Sequence, residues 1–387
     1  MDIGGYPQIA ILLVAWSISD LLMPVLIQVS RRRSWLDRPH GHKTHQEPTP
    51  VLGGVGIFIA VAASLALTLQ TKPSETWFPI VGLFLGCFLV TVLGLIDDFR
   101  PINAVVKLGV LVAATVVISR FDVCANILPG GTSNPLNVAI TLLWIVGVTS
   151  ATNSLDHANG NTAGSIAIAC GSIFVIAWGN SAETSQSWLS YLAVAIAGGC
   201  LGFLRHNLFG GRIFLGDNGS FLLGFLTASC LVFARWSDDP IKAFLMPVMI
   251  LTVPLFDISL STILRIKNGV VGSVREAIVY CGKDHLTHRL LALGLSPRAS
   301  VLAVYSLGIV SGAFAIAIHG IESRISYLSV TAAYLVLLVI IGALLDQAPV
   351  HRNSRRSERF LPPRLRWPAR AQAPRGDGRK KNPVASR

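Results

Sequence analysis

Two adjacent carboxylates, Asp97 and Asp98, end the apolar run Gly94-Leu95-Ile96-Asp97-Asp98-Phe99. Charge beside hydrocarbon is costly and persists where it has work to do. Asp156 follows a second apolar run and Asp217 precedes a third. Acids gathered at one membrane face would hold a divalent cation and serve phosphate chemistry at the lipid surface. A hard cation such as Mg2+ takes one or two carboxylates and completes its octahedron with water and phosphate.

Polar residues near these acids extend the picture. Lys43 and His45 lie in the stretch 41–50, just before the pair Gly53-Gly54. Cations ahead of glycines at a helix start would hold an anion on backbone N–H groups and the helix dipole; an ordinary cationic loop is the alternative. Lys107, beyond the aspartate pair, would join a phosphate or the carboxylates themselves, unless the group is only an interfacial snorkelling cluster. Asn153, Asp156 and Asn159 recur every three residues, which places three oxygen-bearing side chains on one face of a helix; a capped loop is the rival reading. In Arg212-Ile213-Phe214-Leu215-Gly216-Asp217-Asn218-Gly219-Ser220, glycines on both sides of Asp217 let backbone approach a ligand, and Asp217 could also cap a helix. His285, His288 and Arg289 would grip a diphosphate or nucleotide. Zinc fits poorly there, because no third strong ligand lies nearby.

The elements that must position these residues are membrane helices. The chain has 387 residues, 52% hydrophobic and 13% charged, with mean hydropathy +0.60; a soluble chain carries about a quarter charged residues. Apolar stretches long enough to cross a bilayer as helix recur, at 7–29, 51–69, 78–96, 104–119, 136–150, 162–178, 188–204, 219–234, 241–264, 299–318 and 326–345. The expected fold class is therefore an all-α polytopic membrane protein with about 10–11 transmembrane helices and cytoplasmic active-site loops. Alternate loops are rich in Lys and Arg (Arg31, Arg32, Arg33, Arg100, Arg205, Arg212, Arg265, Lys283, Arg289), while the others hold only Lys72, Arg120, Arg235, Lys242 and Arg324. Positive residues stay cytoplasmic. The N-terminus is then outside, the C-terminus cytoplasmic, and every acidic patch cytoplasmic, in a multi-pass protein of the cell inner (plasma) membrane. Residues 1–346 form the transmembrane domain, and 347–387 a basic tail with the composition of a disordered segment. That tail suits anionic lipid heads; nucleic acid is not expected as a partner, since no aromatic or folded module accompanies the charge. The N-terminus lacks the basic region of a cleavable signal, so the first span reads as a retained anchor. Six scattered cysteines read as small buried hydrophobes.

Taken in order from His42 to about Ser296, these patches resemble the polyprenyl-phosphate N-acetylhexosamine-1-phosphate transferases, glycosyltransferase family 4. Lys43, His45, Pro48, Pro50, Gly53 and Gly54 are similar to the family's first cytoplasmic motif. Gly94 to Asp98 with Lys107-Leu108 resembles its aspartate-pair motif, and Arg212 to Ser220 its metal-site string. Val253-Pro254-Leu255-Phe256-Asp257 and Asp284-His285-Leu286-Thr287-His288-Arg289 resemble its last two. Two positions depart from the pattern. In the third motif Ser150 stands for an Asn and Asn159 for an acid, which questions any base at that place. Thr287 stands where a histidine is frequent, which favours the WecA-like branch over the MraY-like one.

The resemblance implies transfer of a sugar 1-phosphate, N-acetylglucosamine 1-phosphate being the first choice, from a UDP-sugar to undecaprenyl or another polyprenyl phosphate, with release of UMP. It implies Mg2+ as cofactor, with Mn2+ the substitute. Asp217 and Asn153 are the implied metal residues. Asp97, Asp98 and Asp156 are the implied catalytic residues, Asp97 meeting the lipid phosphate. Lys43, His45, Lys107, Asn153, Asn159, Arg212, His285, His288 and Arg289 are the implied substrate-binding set. The partners are polyprenyl phosphate, UDP-sugar and the membrane, and a homodimer is compatible. A phospho-N-acetylmuramoyl-pentapeptide transferase and a non-catalytic lipid or sugar-phosphate transporter are the alternative readings.

Overall fold

A computed structural model describes residues 7–37, 47–69, 77–179, 184–208, 210–272, 276, 280 and 282–350. Lys43, His45, Cys281 and the tail beyond 350 lie outside the described residues. The chain is an all-α polytopic membrane protein. Its described helices are α1 (Pro7–Arg33), α2 (Gly53–Leu69), α3 (Trp77–Phe99), α4 (Ala104–Ser119), α5 (Pro135–Leu155), α6 (Asn161–Gly179), α7 (Thr184–Asn207), α8 (Gly216–Phe233), α9 (Pro240–Ile250), α10 (Thr252–Lys267), α11 (Leu286–Ala292), α12 (Pro297–His319) and α13 (Arg324–Asp346). A two-stranded antiparallel ribbon, β1 (Leu36–Asp37) with β2 (Thr49–Pro50), joins α1 to α2.

Eight helices among the described residues are long and apolar enough to span, α2 and α4 are shorter apolar helices, and α9 with α10 makes a bent pair. Together they account for the eleven stretches read from the sequence. The stretch 241–264, expected as one straight span, is instead broken at Leu251, where α9 and α10 meet at 82°. Pro254 explains the break: it has no N–H to donate to Ile250, and its ring crowds the carbonyl one turn back. Tyr334 Oη, on α13, lies 2.5 Å from Thr252 Oγ1 just after the break and 2.8 Å from Ser311 Oγ, donating to one hydroxyl and accepting from the other, and so ties α13 to α10 and α12.

α8 is the hub. The best apolar window in α8 is 78% buried against 22% in α1 and in α13, which face lipid. It packs on α2, α3, α5 and α6, and its approach to α3 and α2 depends on missing side chains. A Cβ on Gly94 would stand 2.4 Å from the backbone of Asn218, and one on Gly54 would stand 2.2 Å from Gly219 Cα. Five of the cysteines, Cys87, Cys124, Cys170, Cys200 and Cys230, are free and buried among these helices.

The helix ends that carry the polar patches meet at one face of this bundle: the C-terminal ends of α3 and α5 and the N-terminal ends of α4 and α8. Gly94→Ala would push α3 off that meeting point. The expected result is a loss of about 1–3 kcal/mol in stability from overpacking, read as a lower unfolding temperature in detergent, whereas Gly109→Ala, inside α4 with nothing within 4 Å of the added carbon, keeps or slightly raises that temperature.

Candidate active site

Asp98 organises the site. The first turn of a helix leaves N–H groups without partners, and Leu215, at the N-cap of α8, offers no side-chain acceptor. The carboxylate of Asp98 supplies it from α3: Oδ1 accepts Asp217 N at 2.8 Å, and Oδ2 accepts Asn218 N at 3.1 Å and Asn218 Nδ2 at 2.6 Å. Asp217 therefore does not cap its own helix as the sequence allowed. Gly216 makes the approach possible, with φ +73°, and a Cβ there would lie 2.7 Å from Asp98 Oδ2.

The glycine pair of α2 serves the same string. Gly53 N donates to Phe214 O and Gly54 N to Leu215 O, both at 3.1 Å, while Val55 N donates to Asn218 Oδ1 at 3.0 Å. Phe214 N returns a bond to Pro50 O at 2.8 Å. The N–H groups expected to cradle an anion are thus spent on holding residues 214–218. Asn218, whose Nδ2 also reaches Val51 O at 2.6 Å, ties α2, α3 and α8 together.

Asp97, Asp217, Lys107 and Asn153 converge beside this clamp. Asp97 Oδ1 accepts Ile102 N at 2.7 Å, and its Oδ2 is ion-paired with Lys107. Lys107 Nζ also lies 3.5 Å from Asp217 Oδ2, and the two carboxyls are within hydrogen-bonding reach of each other. Asn153 Nδ2 donates to Asp217 Oδ1 at 3.0 Å and to Ser220 Oγ at 2.8 Å, so only its Oδ1 remains for a cation. Among the described residues no group of three or more His, Cys, Asp or Glu is arranged to hold a metal by itself.

Asp156 stands close enough to Asp98 to feel its charge. It does not share a helical face with Asn153 and Asn159: α5 stops at Leu155, Asp156 takes the C-cap with ψ 58°, and the chain turns through Gly160 at φ +78°. Asn207 Oδ1 accepts Gly160 N at 2.5 Å while its Nδ2 donates to Ile213 O at 2.8 Å, which couples this turn to the Asp217 string. Tyr305 donates to Gly160 O at 2.6 Å from α12. Asn159 is exposed, its amide over Gly211, and Arg212 is exposed nearby.

The histidine patch divides in two. His285 is buried with both ring nitrogens engaged, Nδ1 on Asp257 Oδ2 at 2.7 Å and Nε2 at 3.2 Å from Arg265. Arg265 in turn grips Asp284 in a fork at 2.6 and 2.7 Å. Arg289 is buried too, at 1% exposure. His285 and Arg289 are therefore enclosed in the fold rather than lying open as phosphate-gripping groups. His288 is half-buried, and His157 is exposed with its ring centroid 4.2 Å from that of His285. Thr287 accepts Asn161 Nδ2 at 3.2 Å and so locks α11 to the start of α6. Asn207, Asn218, Tyr305 and Asp257 had no assigned role in the sequence reading, because each acts through distant backbone or a distant ring.

Burial, and then the charge of Asp98, push the Asp156 carboxyl up from 3.8 to about 7. Between these two values the unfolded chain has lost this proton and the fold keeps it, so stability falls as pH rises through that window. Asp156→Asn removes the effect. Its gain in unfolding temperature over the natural chain is expected to be larger at pH 8 than at pH 5, and equal gains at both would reject a buried proton on Asp156.

A model of glycosyl transferase family 4 matches residues 80–235. The chain is 29% identical over 335 residues to a probable undecaprenyl-phosphate N-acetylglucosaminyl 1-phosphate transferase of Bacillus subtilis, covering 82% of this chain and 86% of the relative. It is 29% identical over 341 residues to a decaprenyl-phosphate N-acetylglucosaminephosphotransferase of Mycolicibacterium smegmatis, covering 80% and 82%. A phospho-N-acetylmuramoyl-pentapeptide-transferase of Bacillus subtilis is 30% identical over 236 residues, 55% of this chain and 71% of the relative.

Proposed function

The chain belongs to glycosyl transferase family 4 and is a multi-pass membrane enzyme that transfers a sugar phosphate, and from that premise we propose that it moves N-acetylglucosamine 1-phosphate from UDP-N-acetylglucosamine to a polyprenyl phosphate. A phosphate oxygen of the lipid attacks the β-phosphorus of the donor. The bond from that phosphorus to the bridging oxygen breaks, UMP departs, and a polyprenyl-diphosphate sugar stays in the membrane. The observation that carries this reading is the convergence of Asp97, Lys107 and Asp217 on one bundle face, held by Asp98. Coverage favours the N-acetylglucosaminyl reading over the pentapeptide one, since the relatives so named match over more of both chains.

Phosphoryl transfer asks mainly for positioning and charge neutralisation. Asp97, beside Lys107, positions the acceptor phosphate and takes its remaining proton. That phosphate has a second pKa of about 6, so a strong base is not required. Lys107 and, by resemblance, Lys43 and His45 hold phosphates; Arg212, Asn159 and His288 have surface to offer the donor. Asp98 positions Asp217 rather than touching substrate, since its oxygens already serve the α8 N–H groups.

The donor set fits Mg2+, with Mn2+ as substitute. The Asp217 and Asp97 carboxyls, within hydrogen-bonding reach of each other, and the amide oxygen of Asn153 are hard oxygen groups, and one or two carboxylates suffice when phosphates supply other positions. Asp217 with Asn153 would hold it, and when bound it supplies neutralising charge for the diphosphate. The orientation follows the positive-inside rule: the acidic face is cytoplasmic, the N-terminus outside and the C-terminus inside, in the plasma membrane.

Purified protein with polyprenyl phosphate and a panel of UDP-sugars, with and without Mg2+, tests the reading by UMP release. Asp217→Asn is expected to lower turnover by about three orders of magnitude or more, and EDTA to abolish it reversibly. Near-normal UMP release from folded Asp217→Asn would reject the metal assignment, and preference for a UDP-muramoyl-pentapeptide would reject the sugar.

A further inference from the structure

We infer that Lys107 is a built-in counter-cation: it occupies the carboxylate oxygens that a divalent cation needs, and binding of that cation releases its ammonium to meet substrate phosphate. The inference rests on the proposed cation assignment to Asp217 and its neighbours. The carboxyls of Asp97 and Asp217 lie within hydrogen-bonding reach of each other, with side-chain exposures of 4% and 36%. Two such groups repel unless a proton or a positive charge joins them. Here Lys107 does so, paired with Asp97 Oδ2 and 3.5 Å from Asp217 Oδ2. The remaining carboxylate oxygens of the cluster are engaged elsewhere, Asp97 Oδ1 by Ile102 N, Asp217 Oδ1 by Asn153, and both oxygens of Asp98 by the start of α8, which leaves the amide oxygen of Asn153 as the open one. An incoming cation therefore meets the oxygens that Lys107 already uses.

An ammonium and a divalent ion cannot share those two oxygens, because their charges repel at contact distance. The ion brings twice the charge, and the lysine has a flexible four-carbon stem on which to move away. The Phe221 ring, its centroid 6.0 Å from Nζ, offers a nearby cation–π position. The lysine that leaves is then a mobile positive charge at the rim of the site, with side-chain exposure of 26%, and a phosphate is the group that fits it. The carboxylates are thus paired before the cation arrives, and the lysine is free only afterwards. This makes cation before phosphate the favoured order of binding.

The test measures Mn2+ binding to the full-length protein in lipid nanodiscs without donor or acceptor, by electron paramagnetic resonance of free Mn2+. Lys107→Gln and Lys107→Met are expected to bind on the order of tenfold tighter than the natural chain, and Lys107→Arg, which keeps the charge, to bind like it. UMP turnover moves the other way in Lys107→Gln and Lys107→Met, because the phosphate partner is gone. Unchanged or weaker Mn2+ binding by both neutral variants, folded by circular dichroism, overturns the counter-cation role while leaving the cation assignment intact. Absence of Mn2+ binding in the natural chain and in both neutral variants overturns that assignment, and the present inference with it.

Discussion

The arrangement depends on a helix that begins without a cap of its own. α8 is the most enclosed element at the active face, and its first N–H groups would otherwise point into a region where little water can satisfy them. Asp98 provides the acceptor from another helix, and in doing so sets the distance between α3 and α8. Neighbouring features follow from that bond. Gly94 and Gly216 are bare because a side chain would occupy the space it needs, and Asn218 is present because its amide closes the remaining gap to Val51. The adjacent carboxylates thus divide the labour. Asp98 holds the start of α8, while Asp97 pairs with Lys107 and accepts Ile102 N.

A second rigid body backs the first. Asp257, His285, Arg265 and Asp284 form a fully enclosed chain of charge-assisted bonds. Such a network costs heavily if any member is missing, which favours one arrangement over loose alternatives. The two softer histidines, His157 and His288, lean on it. The loop after α5 is similarly held from behind, by Tyr305 and Asn207 acting on Gly160. Reactive groups on turns are in this way given the fixity of helices.

Much of this was legible in the order of residues. Hydropathy located the spanning stretches, since the bilayer demands long apolar runs and little else competes with that signal. The chemistry-bearing acids stood out because charge next to such runs is rare. What stayed hidden were properties of pairs far apart in sequence. Nothing near Gly53 and Gly54 says that their N–H groups belong to Phe214 and Leu215 rather than to an anion. Nothing in the spacing of Asn153, Asp156 and Asn159 says that the helix ends between the first and second. The kink at Leu251 was foreshadowed by Pro254, whose local effect a hydropathy window averages away. His285 and Arg289 looked open because polar loop residues usually are; the partners that enclose the His285 ring, Asp257 and Arg265, lie on α10, far from it in sequence.

The ties between α2 and α8 bear on how the chain is made. Val55 bonds to Asn218 across 163 positions, and Pro50 and Gly53 bond to Phe214 over a similar span. A ribosome-bound chain reaches α2 long before its partners exist, so the glycine turn must wait at the bilayer surface while five further helices enter. Asp98 waits as well, a bare carboxylate at the end of its helix, with water or lipid headgroups as its provisional company. The active face is accordingly a late product of biogenesis, completed when α8 joins helices already in place.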